Sequence, residues 1–190
     1  VEEVVRKDAA SKPEDTRSFT DQKSEPLTLR DIKAEEEPRI DMQDAELNRV
    51  LGGGLVPASV VLIGGEPGIG KSTLVLQTAL KLKGLPVLYV SGEESARQLK
   101  LRAERIGLEN DDCWIVCETD LDEIFRHVKN LSPRLLIVDS IQTVYSDALD
   151  SAPGSLSQVR ECASLLLKFA KQSGTPVVLI GHITKEGSLA

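Results

Sequence analysis

Long apolar runs are missing from this 190-residue sequence. None approaches the roughly 20 residues that a helix needs to cross a bilayer, and stretches such as residues 60–63 have only the length of a strand. A soluble protein without a membrane partner is expected. Cysteine is scarce too. Cys113, Cys117 and Cys162 make an odd number with no secretory signal before them, which argues against a disulfide scaffold and for a reducing, cytoplasmic setting. Cys113 and Cys117 lack a second pair with which to hold a metal, and they alternate with apolar residues as in a strand. There is no internal repeat at solenoid spacing. A basic excess is also absent: the formal net charge is -7. Residues 1–46 hold 14 acids against 8 bases, leaving 16 and 15 for the remainder. A near-neutral body neither announces nor excludes nucleic acid, because a local stripe can bind phosphates while the average stays flat.

Hydrophobic residues make up 41% of the chain, enough to bury one core. From Val1 to about Pro38 there is no sustained apolar period, and Lys, Glu, Asp, Ser and Pro dominate. Such a segment cannot offset its ordering entropy. Residues 1–36 are therefore expected to be a flexible acidic linker, ordering from Leu27 at the earliest, and residues 37–190 a folded domain. The chain opens on Val1 without a methionine and stops at Leu189-Ala190 soon after a strand-like run, which gives it the look of a piece of something longer.

Within the domain, Leu47, Val50 and Leu51 have helical spacing, and Gly52-Gly53-Gly54 ends that turn. Strands are expected at 59–64, 86–91, 113–117, 134–139 and 176–181. Between them, residues 71–83, 94–106, 121–131 and 155–173 carry apolar side chains at helical period. Gly84, Gly107 and Gly174 stand where helix C-terminal caps belong. This alternation predicts an α/β fold of parallel βαβ units with helices on both faces of the sheet.

The pattern G-x-x-x-x-G-K-[ST] occupies Gly65-Glu66-Pro67-Gly68-Ile69-Gly70-Lys71-Ser72, after a β-branched strand and before an amphipathic helix. Its glycines let the backbone curl so that several N–H groups converge on phosphate oxygens, and the helix adds its positive dipole end. An ordinary glycine-rich turn would leave Lys71-Ser72 in register as a coincidence. ATP with magnesium is the expected ligand, held by Gly65, Glu66, Pro67, Gly68, Ile69, Gly70, Lys71, Ser72 and Thr73. Lys71 would bridge the β and γ phosphates, and Ser72 would ligate the magnesium.

A second magnesium ligand is expected at the end of a buried strand, and Leu135-Leu136-Ile137-Val138-Asp139 supplies it in Asp139. Tyr89-Val90-Ser91-Gly92-Glu93-Glu94 places two acids at the C-terminal end of another strand, the edge where open α/β sheets bind ligands. Glu93 is the expected catalytic base, with Glu94 in reserve, although either acid would also favour a helix N-terminus through its dipole. His182 ends a further strand, where it either contacts the γ-phosphate and reports hydrolysis to a neighbouring loop or serves the structure alone. His127 reads as a surface residue. Arg97, Lys100, Arg102 and Arg105 are spread around one helix and read as a solvated face.

Together these residues resemble the RecA superfamily and, within it, the RadA (Sms) family of bacterial DNA repair proteins. The likeness runs from about residue 35 to 190 and rests on six blocks in order, at 37–40, 47–57, 64–73, 89–95, 138–143 and 181–187. It implies a RecA-like P-loop NTPase with strand order 3-2-4-5-1, truncated at the C-terminus. Glu93, Asp139 and His182 would then meet the P-loop around one γ-phosphate, with Lys71, Glu93 and His182 as catalytic residues.

The resemblance further implies a DNA-dependent ATPase of recombinational repair. That activity couples ATP hydrolysis to branch migration or translocation on single-stranded or branched DNA, in a ring-shaped homo-hexamer, with a RecA-type recombinase as another partner. Residues 145–157 and those following His182 would be its DNA-facing loops. The family's four-cysteine zinc module, Lys-Asn-Arg-Phe-Gly motif and protease-like domain have no counterpart in this sequence, so zinc is not expected. Two readings compete with this one. A clock-type signalling ATPase or phosphotransferase would share the Gly52-Gly53-Gly54 lead-in, and a nucleotide-gated assembly module would bind ATP without useful turnover.

Overall fold

The computed structural model describes Pro26, residues 28–31 and residues 38–183. The expected linker over 1–36 lies mostly outside the described residues, and residues 184–190, the start of the second expected DNA-facing loop, lie outside them too. The chain divides into two units, Val1–Glu35 and Glu36–Ala190. In the first, the described residues form one turn: the Asp31 amide donates to the Thr28 carbonyl at 2.9 Å and the Thr28 hydroxyl to Asp31 Oδ2 at 2.5 Å.

The second unit opens on helix α1 (Ala45–Val50), whose N-cap Asp44 accepts from the Leu47 amide. There follow β1 (Val60–Gly65), α2 (Lys71–Lys81), β2 (Val87–Ser91), α3 (Ala96–Ile106), β3 (Cys113–Cys117), α4 (Leu121–Leu131) and β4 (Leu135–Asp139). A 3-10 turn (Ile141–Thr143), α5 (Leu156–Ser173) and β5 (Val177–His182) complete it. The expected strands and helices are all present. One boundary shift has consequences for the site: α3 begins at Ala96 rather than 94, because Ser95 caps it. The Ser95 hydroxyl accepts from the Gln98 amide while the Gln98 side chain accepts from the Ser95 amide. Glu93 and Glu94 are left outside the helix.

The sheet is parallel throughout, in the order β1-β5-β4-β2-β3, which is the expected order. Alternate residues of the strands enter two apolar layers. Leu88, Val90, Leu136, Val138, Val177 and Leu179 pack with Ile124 and Val128 of α4 and with Cys162, Leu166 and Phe169 of α5. Val87, Tyr89, Leu135, Ile137, Val178 and Ile180 pack with Val75, Leu76 and Ala79 of α2 and with Leu99 and Ala103 of α3. Each fully buried aliphatic side chain contributes about 1.5–3 kcal/mol. Burial on both faces explains why the central strands read as continuous apolar runs instead of alternating ones.

Burial pushes the Cys113 thiol up to about 11 and, with the nearby charge of Glu161, the Cys162 thiol likewise to about 11, so both act as small packing groups. Among the described residues no three His, Cys, Asp or Glu side chains gather as metal ligands. No helix among them is long and apolar enough to cross a membrane.

Parallel register brings the strand ends to one edge. Gly65 of β1 lies opposite His182 of β5, and Asp139 of β4 lies between Ile180 and Ser91.

Candidate nucleotide-binding site

Between β1 and α2 the loop of residues 66–70 is exposed. Gly68 and Gly70 have φ of +82° and +96°. A Cβ at either would meet nothing within 4 Å, so left-handed backbone rather than lack of room is what calls for glycine. As the N-cap of α2, Gly70 offers no side chain to the first-turn amides. Those amides, at the positive end of the helix, are disposed toward an anion.

Lys71 is 7% exposed. A buried ammonium needs acceptors, and here the loop supplies them: Nζ donates to the Gly65 and Glu66 carbonyls, each at 2.8 Å. The same Nζ lies 3.3 Å from His182 Nδ1.

Ser72 Oγ donates to Asp139 Oδ1 at 3.1 Å, and the Tyr89 hydroxyl donates to Asp139 Oδ2 at 2.6 Å. Burial pushes the Tyr89 phenol far above its ordinary range, and the charge and hydrogen bond of Asp139 push it further, so the hydroxyl keeps its proton and remains a donor. A serine hydroxyl beside a buried carboxylate is an all-oxygen pair, the donor chemistry that suits magnesium.

Glu93 Oε1 accepts from Ser140 Oγ at 2.5 Å and lies 2.9 Å from His182 Nε2. Burial alone would raise this carboxyl. The hydrogen bonds from Ser140 and His182, with the charges of His182 and Lys71, outweigh it and hold the group below its ordinary 4.5. The His182 ring therefore spans Lys71 and Glu93, and its backbone carbonyl accepts from Gln142 Nε2 at 3.0 Å.

Glu94 turns the other way. Its Oε1 accepts from Arg102 Nη2 at 2.5 Å, and Arg102 Nη1 reaches Thr73 Oγ1 at 3.4 Å. Lys100 pairs with Glu109 at 3.5 Å and with Glu104 at 3.9 Å. Two of the four basic residues on α3 are thus engaged by acids of the same chain.

The expected residues Lys71, Ser72, Asp139, Glu93 and His182 are brought together; Glu94 is not among them, and Thr73 stands at its margin against Arg102. Sequence reasoning missed Tyr89, Ser140 and Gln142. Ser140 follows Asp139 directly, which is a signal that could have found it. Tyr89 reads as an ordinary strand aromatic, and its role in the site depends on register.

The chain matches the AAA domain family over residues 23–188. It is 48% identical to the DNA repair protein RadA of Bacillus subtilis, over 100% of this chain and 42% of that protein. The DNA repair protein RadA of Pseudomonas aeruginosa matches equally, at 48% over 100% of this chain and 42% of its own length. That of Halalkalibacterium halodurans is 50% identical over 88% of this chain and 37% of its own. The chain thus spans about two fifths of the length of these relatives. Among solved structures, a KaiC-like protein from the archaeon Pyrococcus horikoshii superposes with a TM-score of 0.64 at 23% identity, over 80% of this chain and 73% of that one, a likeness of RecA-type fold.

Proposed function

This chain belongs to the RadA family, built on an AAA domain of RecA-like fold, and from that premise we propose that it is the ATP-hydrolysing core of a DNA repair ATPase. The observation that carries the reading is the joined set at one sheet edge: Lys71 to His182 to Glu93, and Ser72 to Asp139.

The residues divide the work as follows. The Lys71 ammonium exchanges the Gly65 and Glu66 carbonyls for β and γ phosphate oxygens, while the loop amides and the N-terminus of α2 bind the remaining charge. Ser72 and Asp139 would hold magnesium, which would supply charge neutralisation at the phosphates. Glu93, ionised at neutral pH, accepts a proton from the water that attacks the γ-phosphorus as the bond to ADP breaks. A carboxylate held below its ordinary value is a weak base. Movement of the His182 ring from Glu93 toward the γ-phosphate removes one of the interactions that lower it, and so strengthens the base when nucleotide is in place.

The finer reading is a DNA-dependent ATPase of recombinational repair. It couples hydrolysis to branch migration or translocation on single-stranded or branched DNA, works as a cytoplasmic homo-hexamer, and has a RecA-type recombinase among its partners. Residues 145–157 and those after His182 face the DNA. The relatives' shared description as DNA repair proteins supports this. The test is ATP turnover by the full-length protein with and without single-stranded DNA. Stimulation by DNA and its abolition by Lys71→Ala are expected; turnover indifferent to DNA would remove the DNA part, and full turnover in Lys71→Ala would remove the site.

A further inference from the structure

Asp139 is 3% exposed, and its two oxygens have different neighbours: Ser72 on Oδ1 and the Tyr89 hydroxyl on Oδ2. Tyr89 itself is fully buried, in the apolar layer that holds Leu76, Leu99 and Ile137. A phenylalanine would fill that layer equally well, so packing does not account for the hydroxyl. Burying a hydroxyl there is unfavourable unless it is bonded, and Asp139 is the acceptor it meets. The register explains the reach. Ser91 lies opposite Asp139 and Tyr89 opposite Ile137, so Tyr89 stands two residues back along β2, on the face shared with Ser91, and its ring spans the interval. A buried carboxylate with a donor on each oxygen is restrained against rotation.

We propose that Tyr89 is a positioning residue: its hydroxyl locks the Asp139 carboxylate so that Oδ1 is presented to Ser72 and to the magnesium ion these two would share. The inference rests on reading Asp139 as a magnesium ligand. Tyr89 would act through Asp139, to which its hydroxyl is bonded.

The experiment uses the full-length protein with Tyr89→Phe, Asp139→Asn and the double variant, and follows binding of a fluorescent ATP analogue, first without metal and then across a magnesium titration. Tyr89→Phe is expected to keep metal-free nucleotide affinity and to raise the magnesium concentration at half-saturation by about tenfold, the usual scale for loss of a group orienting a metal ligand. In the Asp139→Asn background the same substitution is expected to add no further shift. A Tyr89→Phe titration that overlays the wild type while Asp139→Asn is displaced overturns the proposal and leaves the site reading standing. An Asp139→Asn titration that overlays the wild type overturns both. Loss of metal-free binding in Tyr89→Phe, or an undiminished shift in the double variant, marks a packing role and overturns the proposal as well.

Discussion

Adjacent in sequence, Glu93 and Glu94 face different partners: Glu93 meets Ser140 and His182, and Glu94 meets Arg102. Their substitutions should separate accordingly. Glu93→Gln is expected to lower kcat by about 10²–10⁴-fold, the range for a general base, with ATP affinity kept; single-turnover hydrolysis beside nucleotide titration reads both. Glu94→Gln breaks a partly buried ion pair instead, and is expected to lower stability by about 1–2 kcal/mol while kcat falls far less, as urea unfolding would register. An exchange of the two outcomes would move the base to Glu94. The lowered carboxyl of Glu93 also sets a pH dependence. A group whose folded value lies below 4.5 contributes stability that is present above that value and is lost as pH falls through the lowered one. The stability difference between wild type and Glu93→Gln should therefore be level near neutral pH and shrink in acid, below about pH 4.5. Glu118, lowered by the Asp120 and Thr119 amides, titrates in the same window and cancels in the difference. Urea midpoints of both proteins at stepped pH values check this, and a difference unchanged down to acid pH would count against the Glu93 contacts.

At the scale of elements, positions were legible in the sequence where a local cause sets them. Strands buried on both faces show as unbroken apolar runs, and Gly107 and Gly174 mark helix ends by their capping chemistry. Lys71, Ser72 and Asp139 were legible because loop and strand contexts agree. What stayed hidden depends on which elements meet. Gly92 looks like any turn glycine, yet the end of β2 abuts the 3-10 turn after β4: a Cβ there would lie 1.9 Å from Thr143 Oγ1 and 2.6 Å from Thr143 Cβ. The Gly92 amide also donates to the Asp139 carbonyl at 2.8 Å. Gly92→Ala must therefore drive the turn away from the strand that carries Glu93, with an expected loss of about 1–3 kcal/mol, the scale of overpacking, and a fall in turnover. Unfolding curves and ATP hydrolysis measured on the same samples decide it; wild-type stability would mean the turn yields freely.

For the domain as a whole, β5 lies between the P-loop strand β1 and the Asp139 strand β4, so His182 stands where the loop, the proposed metal ligand and the proposed base converge. Its ring meets Lys71 and Glu93, and its backbone carbonyl is tied to Gln142 in the turn that leads toward residues 145–157. The His182 ring thus touches the residues proposed for the chemistry, while its backbone is tied to the turn that precedes residues 145–157, one of the segments proposed to face DNA. Coupling of this kind runs in both directions for binding free energies, so DNA bound to those segments should favour the ring position that serves hydrolysis. His182→Ala is therefore expected to lower the ratio of DNA-stimulated to basal ATP turnover in the full-length protein, beyond any fall in the basal rate itself. Gln142→Ala, which removes the tie while leaving the ring, should lower the same ratio by a smaller factor. If His182→Ala reduces basal and stimulated rates equally, the residue acts in the chemistry alone, and the coupling must run through other contacts between the site and residues 145–157.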